Sequence, residues 1–294
     1  RDVERSRGLG DVYKRQINGS PTQGFGYTTL MTNNGKMVNR GVEITLSGEI
    51  IRQKDFSWNA SLLYAFNRNK VKHISVQPSL WDSRISMPTS YPMVGKPLYG
   101  IYAYKWAGLN ENGDPQVYDA ENNVTSGPAR DYHALVYCGT TVPIHNASLT
   151  NVLRYKGLEF SAMLILDAGH KLRSSNIPSI NMSNGRITST AKGIVDRWTQ
   201  PGDVTDVPRL LFSNDTENFN THRTELYRYS DLFVYDASNI RLSNISLAYR
   251  VPAHWCKKIS LSGARLQFNV ENVATFAFDS KANYDLGGKV KPNY

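Results

Sequence analysis

The sequence predicts an all-β chain of antiparallel strands, and three observations carry that expectation. Apolar and polar residues alternate with a period of two, the alternating runs come in pairs joined by short turns, and one run is long enough to cross a lipid bilayer. The composition agrees: 294 residues with Tyr 17, Gly 22 and Pro 13 beside only 20% charged residues describe many strands and turns. A mean hydropathy of -0.44, with no run near the ~18 apolar residues of a spanning helix, excludes a bundle of membrane helices.

The opening "RDVERSRGLGDVYKRQ" has no apolar period and no apolar core of a signal peptide. Residues 1–16 are read as a non-native junction and set aside, leaving 17–294 as the folding unit. The first strand pair follows. Val42, Ile44 and Leu46 alternate with Glu43, Thr45 and Ser47, "RQKD" turns the chain, and Phe56, Trp58, Ala60, Leu62, Tyr64 and Phe66 share one parity. In the second pair Ala147, Leu149, Leu153 and Tyr155 lead through "YKG" into Leu158, Phe160, Ala162, Leu164 and Leu166. The third runs from Ile240 to Tyr249, passes "VPAHWCKK" and continues as Ala264, Leu266, Phe268 and Val270. Its apolar parity is even at Ile240 and Leu242 but odd at Ile245, Leu247 and Tyr249. One residue is extra, so a β-bulge is expected near Ser243 and Asn244.

Between the pairs lie long polar stretches, of which Asp167 to Asp231 is far beyond an ordinary loop. Its Trp198, Phe212, Phe219 and Tyr227 argue against simple disorder. The eleven residues Phe56 to Phe66 rise ~28 Å at ~3.3 Å per residue and a tilt of ~40°, close to the ~25 Å apolar band of an outer-membrane barrel. Short turns on one side and long loops on the other are also the barrel pattern. A soluble sandwich has the same period with the apolar face turned inward, so alternation leaves both architectures open.

Four segments then resemble, in order, the SusC/RagA family of TonB-dependent outer-membrane transporters: "NNGKMVNRGVEITLSGEIIRQKDFSWNASLLYAFNRNKV", "VGKPLYGIYAYKWAGLNENGDPQVYDAENN", "WTQPGDVTDVPRL" and "DASNIRLSNISLAYRVP". The resemblance implies a transmembrane β-barrel of about 22 strands, of which this chain is a partial, carboxy-terminal portion with the plug absent and the last strand missing. It implies import of oligosaccharides or peptides across the outer membrane of a Gram-negative bacterium. The implied partners are a SusD-like surface lipoprotein, TonB reached through the missing amino-terminal region, outer-membrane lipid, and the glycan or peptide substrate. The competing expectation is a soluble all-β carbohydrate-binding or adhesive module.

No catalytic constellation is visible: the sequence has no HExxH, no GxSxG and no complete P-loop, and its six histidines are scattered. No enzyme activity, metal or cofactor is expected. The net charge of +9 is spread along the chain with no basic block, so nucleic acid is not an expected partner. Cys138 and Cys256 have neither zinc spacing nor a framework pattern. Asp203 and Asp206 in "PGDVTD", and the "NENGDP" run from Asn110 to Pro115, read as Asx turns rather than ion sites. Candidate substrate or partner contacts are Trp198, Arg197, Arg209 and Tyr227 in the long loop, residue types favoured at interface centres. Tyr102 and Tyr104, in "LYGIYAYKWAGL" with Tyr99 and Trp106, are candidates for stacking on sugar rings, against packing in the wall.

Overall fold

The computed structural model describes residues 14–17, 30–33, 35–75, 83–127, 131–182, 191–212, 221–258, 260–282 and 285–286. Phe219, residues 1–13 of the leading segment and Tyr294 lie outside them. Residues 14–16 of that segment fall in a short strand, Lys14–Ile17, paired with Leu30–Asn33.

Six strands form one antiparallel sheet in sequence order: β1 (Gly35–Arg52), β2 (Phe56–Ile74), β3 (His145–Tyr155), β4 (Leu158–Ala168), β5 (Asn239–Arg250) and β6 (Arg265–Ala277). Residues 53–55, 156–157 and 251–264 connect them at one end, the last of these carrying the helix Ala253–Lys258. The connections 75–144 and 169–238 both rise from the other end. The tightest turn has a steric cause. Lys156 sits at φ 52, and a Cβ on Gly157 would lie 2.8 Å from the Arg250 carbonyl oxygen, so the close approach of β5 requires glycine there.

Register brings like residues into rows. Leu46, Leu62, Leu149, Leu164 and Leu242 are successive cross-strand partners across β1 to β5. The next row, reached by moving a single residue, is Ser47, Ser61, Thr150, Met163, Asn244 and Glu271. One face is therefore apolar and the other polar, as the period-two pattern requires. On the polar face Ser47 and Ser61 share a hydroxyl hydrogen bond of 2.8 Å, and Glu159 accepts from Arg154 and Arg265 at 2.8 and 3.1 Å.

The apolar face is bare. Leu46 is 58% exposed and Phe268 67%, and the main contacts of the wall strands are with one another rather than with a second sheet. Aromatic residues stand at both margins of this face: Phe56, Tyr155 and Tyr249 toward the short turns, Tyr64, Phe66 and Phe276 toward the long connections. Between them lie the leucine row and a row of Ala60, Asn151, Ala162, Ile245 and Val270. Two polar groups on this face pair with each other, Trp58 Nε1 donating to Asn151 Oδ1 at 3.1 Å, because an unsatisfied polar atom facing lipid is costly. Apolar centre and aromatic margins are the signature of a barrel wall turned outward to lipid.

The bulge stands where parity demanded it. Leu242 and Asn244 pair with adjacent residues Leu164 and Met163, leaving Ser243 extra. Strand length is the correction. β1 and β2 have 18 and 19 residues, well beyond the apolar run, and β1 alone spans ~45 Å at ~40° tilt. Pairing continues from the apolar band into a polar extension, Gly35–Gly41 against Asn67–Ile74, which period-two hydrophobicity cannot register.

Candidate interface of the loop cap

Above the wall, the two long connections fold together into one cap. Its main core joins Tyr102, Tyr104, Val117, Ala134 and Leu135 of the first connection to Leu226 of the second. A smaller cluster of Ile180, Tyr227 and Phe233 packs beside it, with Trp106 touching both. The strands Gly100–Tyr104 and Leu135–Thr140 pair within the first connection. Lys171–Arg173 and Val234–Asp236 pair at the base of the second.

Charged groups clamp the two connections. Asp114 accepts from Arg209 Nε and Nη2 at 3.0 and 2.9 Å and from Arg223 Nε at 2.6 Å. Arg223, with its side chain 4% exposed, also donates to Asn181 Oδ1 and to the Arg209 carbonyl. Arg173 donates from Nη2 to the Tyr102 carbonyl at 2.7 Å and from Nη1 to the carbonyls of Arg228 and Ser230. Its delocalised fork ties three backbone oxygens at once. At the base, burial raises the Asp236 carboxyl, but hydrogen bonds from Ser238 and Lys171 outweigh it and hold the group at about 2.

The Asn110 run is an Asx turn, whereas in "PGDVTD" Asp203 accepts from residues that precede it and Asp206 Oδ1 accepts from Trp106 Nε1 at 3.0 Å. Asn110 Oδ1 accepts from the Asn112 and Asp114 N–H groups at 2.9 Å each. Asp203 Oδ2 accepts from the Thr199 N–H and hydroxyl and the Gln200 N–H, which hold its carboxyl below the ordinary range. Among the described residues no acidic or His/Cys group is arranged for a metal ion. Cys138 and Cys256 are free, Cys138 in the cap and Cys256 in the helix at the short-turn end. Burial pushes the Cys138 thiol up to about 11.

The six candidate contact residues part company here. Tyr102, Tyr104 and Tyr227 are 1%, 1% and 2% exposed and form the core of the cap. Their rings offer no face to a sugar, because the same aromatic area that would stack on a ligand is used to weld the loops. Arg209 is committed to Asp114. Trp198 and Arg197 lie half-buried on the segment 191–207. Trp198 packs over Gly113, whose φ of 72 and missing Cβ make room for the indole. The same segment carries Val195 and Val204 outward, Val204 fully exposed at 102%. Sequence reasoning missed the Asp114–Arg209–Arg223 clamp, since nothing local links positions so far apart, and missed the two valines, which lack aromatic or cationic character.

No family model matches the chain. Among curated proteins it is 24% identical over 280 residues to the TonB-dependent receptor P3 of Formosa agariphila, covering 88% of this chain and 26% of that protein. It is 22% identical over 263 residues to the TonB-dependent receptor SusC of Bacteroides thetaiotaomicron, covering 85% of this chain and 24% of that one. Among solved structures, the RagAB peptide importer in its open-open state superposes with a TM-score of 0.67 at 20% identity, over 95% of this chain and 29% of the other. The RagAB peptide transporter gives 0.66 at 21% identity, over 86% and 27%. The chain thus spans about a quarter of the length of the curated relatives it matches. A bare apolar wall with aromatic margins, a cap made of the long connections, and these likenesses together give the chain the fold of a length of outer-membrane β-barrel wall, similar in sequence to TonB-dependent receptors including SusC and in structure to part of RagAB.

Proposed function

We propose that the chain is part of the wall of a Gram-negative outer-membrane importer of oligosaccharides or peptides, driven through TonB by the rest of the receptor. The cap stands on the extracellular side, and its segment 191–207 meets a SusD-like surface lipoprotein or the substrate. The observation that carries this reading is the apolar outer face, continuous across six strands and left uncovered, with both long connections gathered at one end. A soluble binding module would bury Leu62 and Phe268 against a second layer, and no described element provides one. The role is transport, with no chemical step assigned to any side chain.

Val195, Trp198 and Val204 are the groups placed for contact. Apolar side chains at the tip of a polar loop favour a partner surface that removes them from water, and a loop on a rigid wall is where selectivity resides. Arg197, half-buried beside them and donating to the Ile194 carbonyl at 3.4 Å, supplies the adjacent cation. The test uses Val195→Asp/Val204→Asp and Trp198→Ala in the full-length receptor. Deleting the loop is unsuitable because Arg209 and Leu211 beyond it hold the cap together. Surface level, co-purification of the lipoprotein, and uptake are measured. Normal surface level with loss of lipoprotein recovery or uptake is the expected outcome. Normal surface level with both intact overturns the assignment of the tip.

A further inference from the structure

The outer face of β1 and β2 continues past its apolar band. Val42 and Phe66 are the last apolar pair toward the cap, the next pair on that face is Arg40 opposite Arg68, and the one after is Val38 opposite Lys70. Lys72 is the extra residue of a bulge, since Met37 pairs with Val71 and Lys36 with His73. Arg40, Arg68, Lys70 and Lys72 are exposed, and none of them joins an ion pair among the described residues. The acidic residues of β1, Glu43 and Glu49, fall on the opposite face by parity. Arg68 also lines, with Phe66, Lys96 and His145, a cavity of about 390 Å³.

Two guanidinium groups placed directly opposite on neighbouring strands repel and weaken the sheet that holds them. Such a pair costs least where an anion lies between its members. We propose that this patch binds the phosphate of an outer-leaflet lipid head group, fixing one lipid against the wall. The inference rests on the outward orientation of the apolar face. A lipid whose chains lie along Val42 and Phe66 brings its head group to the height of Arg40 and Arg68 without leaving the bilayer. Arginine forks match phosphate oxygens two at a time, and Lys70 and Lys72 add point charges beside them.

The test compares full-length receptor, wild type and Arg40→Ser/Arg68→Ser/Lys70→Ser, in phosphatidylcholine nanodiscs containing either monophosphoryl lipid A or dephosphorylated lipid A. Retained lipid is counted by native mass spectrometry. The wild type is expected to enrich the phosphorylated lipid, with roughly a fivefold loss for each cation removed and no enrichment of the dephosphorylated lipid by either protein. Arg40→Lys/Arg68→Lys keeps part of the enrichment. In detergent without lipid A the triple variant unfolds no earlier than wild type, because the repulsion is gone, so lost binding is separated from lost folding. Equal enrichment by wild type and variant overturns the proposal. Stabilisation of the wild type by inorganic phosphate equal to that by monophosphoryl lipid A also overturns it, in favour of a soluble anion. Failure of the wild type to insert, read as no heat-modifiable band, removes the barrel reading itself and the patch with it.

Discussion

Leu62 and Ser61 are neighbours on β2 that differ in the face they occupy, so arginine at each position tests which face meets lipid. Leu62 belongs to the leucine row at the middle of the apolar face, flanked by Leu46 and Leu149. A cation there lies inside the apolar band, between Phe56 and Phe66 on the same face, and costs ~2–4 kcal/mol, a drop of about thirty- to seven-hundredfold in the folded-to-unfolded ratio. Ser61 faces the polar side with Ser47 and Thr150 as partners. Arginine there forfeits the 2.8 Å hydroxyl bond to Ser47, ~1 kcal/mol or less for an exposed pair, and reaches water. Heat-modifiable gel migration of the full-length receptor, assembled in cells, reads the difference directly. Leu62→Arg should deplete the folded band while Ser61→Arg leaves most of it. Equal depletion, or the reverse order, would falsify the outward assignment of the leucine row.

Other outcomes follow from the cap. Asp114→Ala leaves Arg209 and the buried Arg223 without their shared carboxylate, a loss of ~3–5 kcal/mol; amide exchange should rise across residues 100–140 and 209–228 while β3 and β4 stay protected. Unchanged exchange in those segments would show that the clamp does not hold the connections. Gly113→Ala puts a Cβ 2.4 Å from the Trp198 ring at a φ of 72, so it should expel the indole, red-shift its fluorescence relative to a Trp198→Phe control, and reduce lipoprotein recovery; an unaltered spectrum would count against the seat. Asp236 titrates below its ordinary 3.8, at about 2, so its contribution to folding is complete above about pH 4 and disappears as pH falls toward 2. Asp236→Asn should remove that component, making cap stability less dependent on pH in this window, and an identical acid profile for wild type and variant would contradict it.

The wall was legible from the order of residues alone. Alternation at a period of two named the strands, the parity slip between Leu242 and Ile245 located the bulge at Ser243, and the short turns paired the strands, because each is a relation between near neighbours. What alternation could not say was which face met lipid, since a sandwich core and a membrane wall impose the same period. That was decided by register across strands, which aligns Leu46, Leu62, Leu149, Leu164 and Leu242 into a row that no layer among the described residues covers. The polar extension of β1 and β2 escaped notice for the complementary reason: outside the apolar band neither face is greasy, so pairing leaves no hydrophobic trace. Long-range packing separated Tyr102, Tyr104 and Tyr227, buried as core, from the half-buried Trp198, and brought Asp114 to Arg209 and Arg223. Burial and ion pairing there arise between two connections separated by a whole hairpin of wall, and no local pattern of residues records who lies opposite whom.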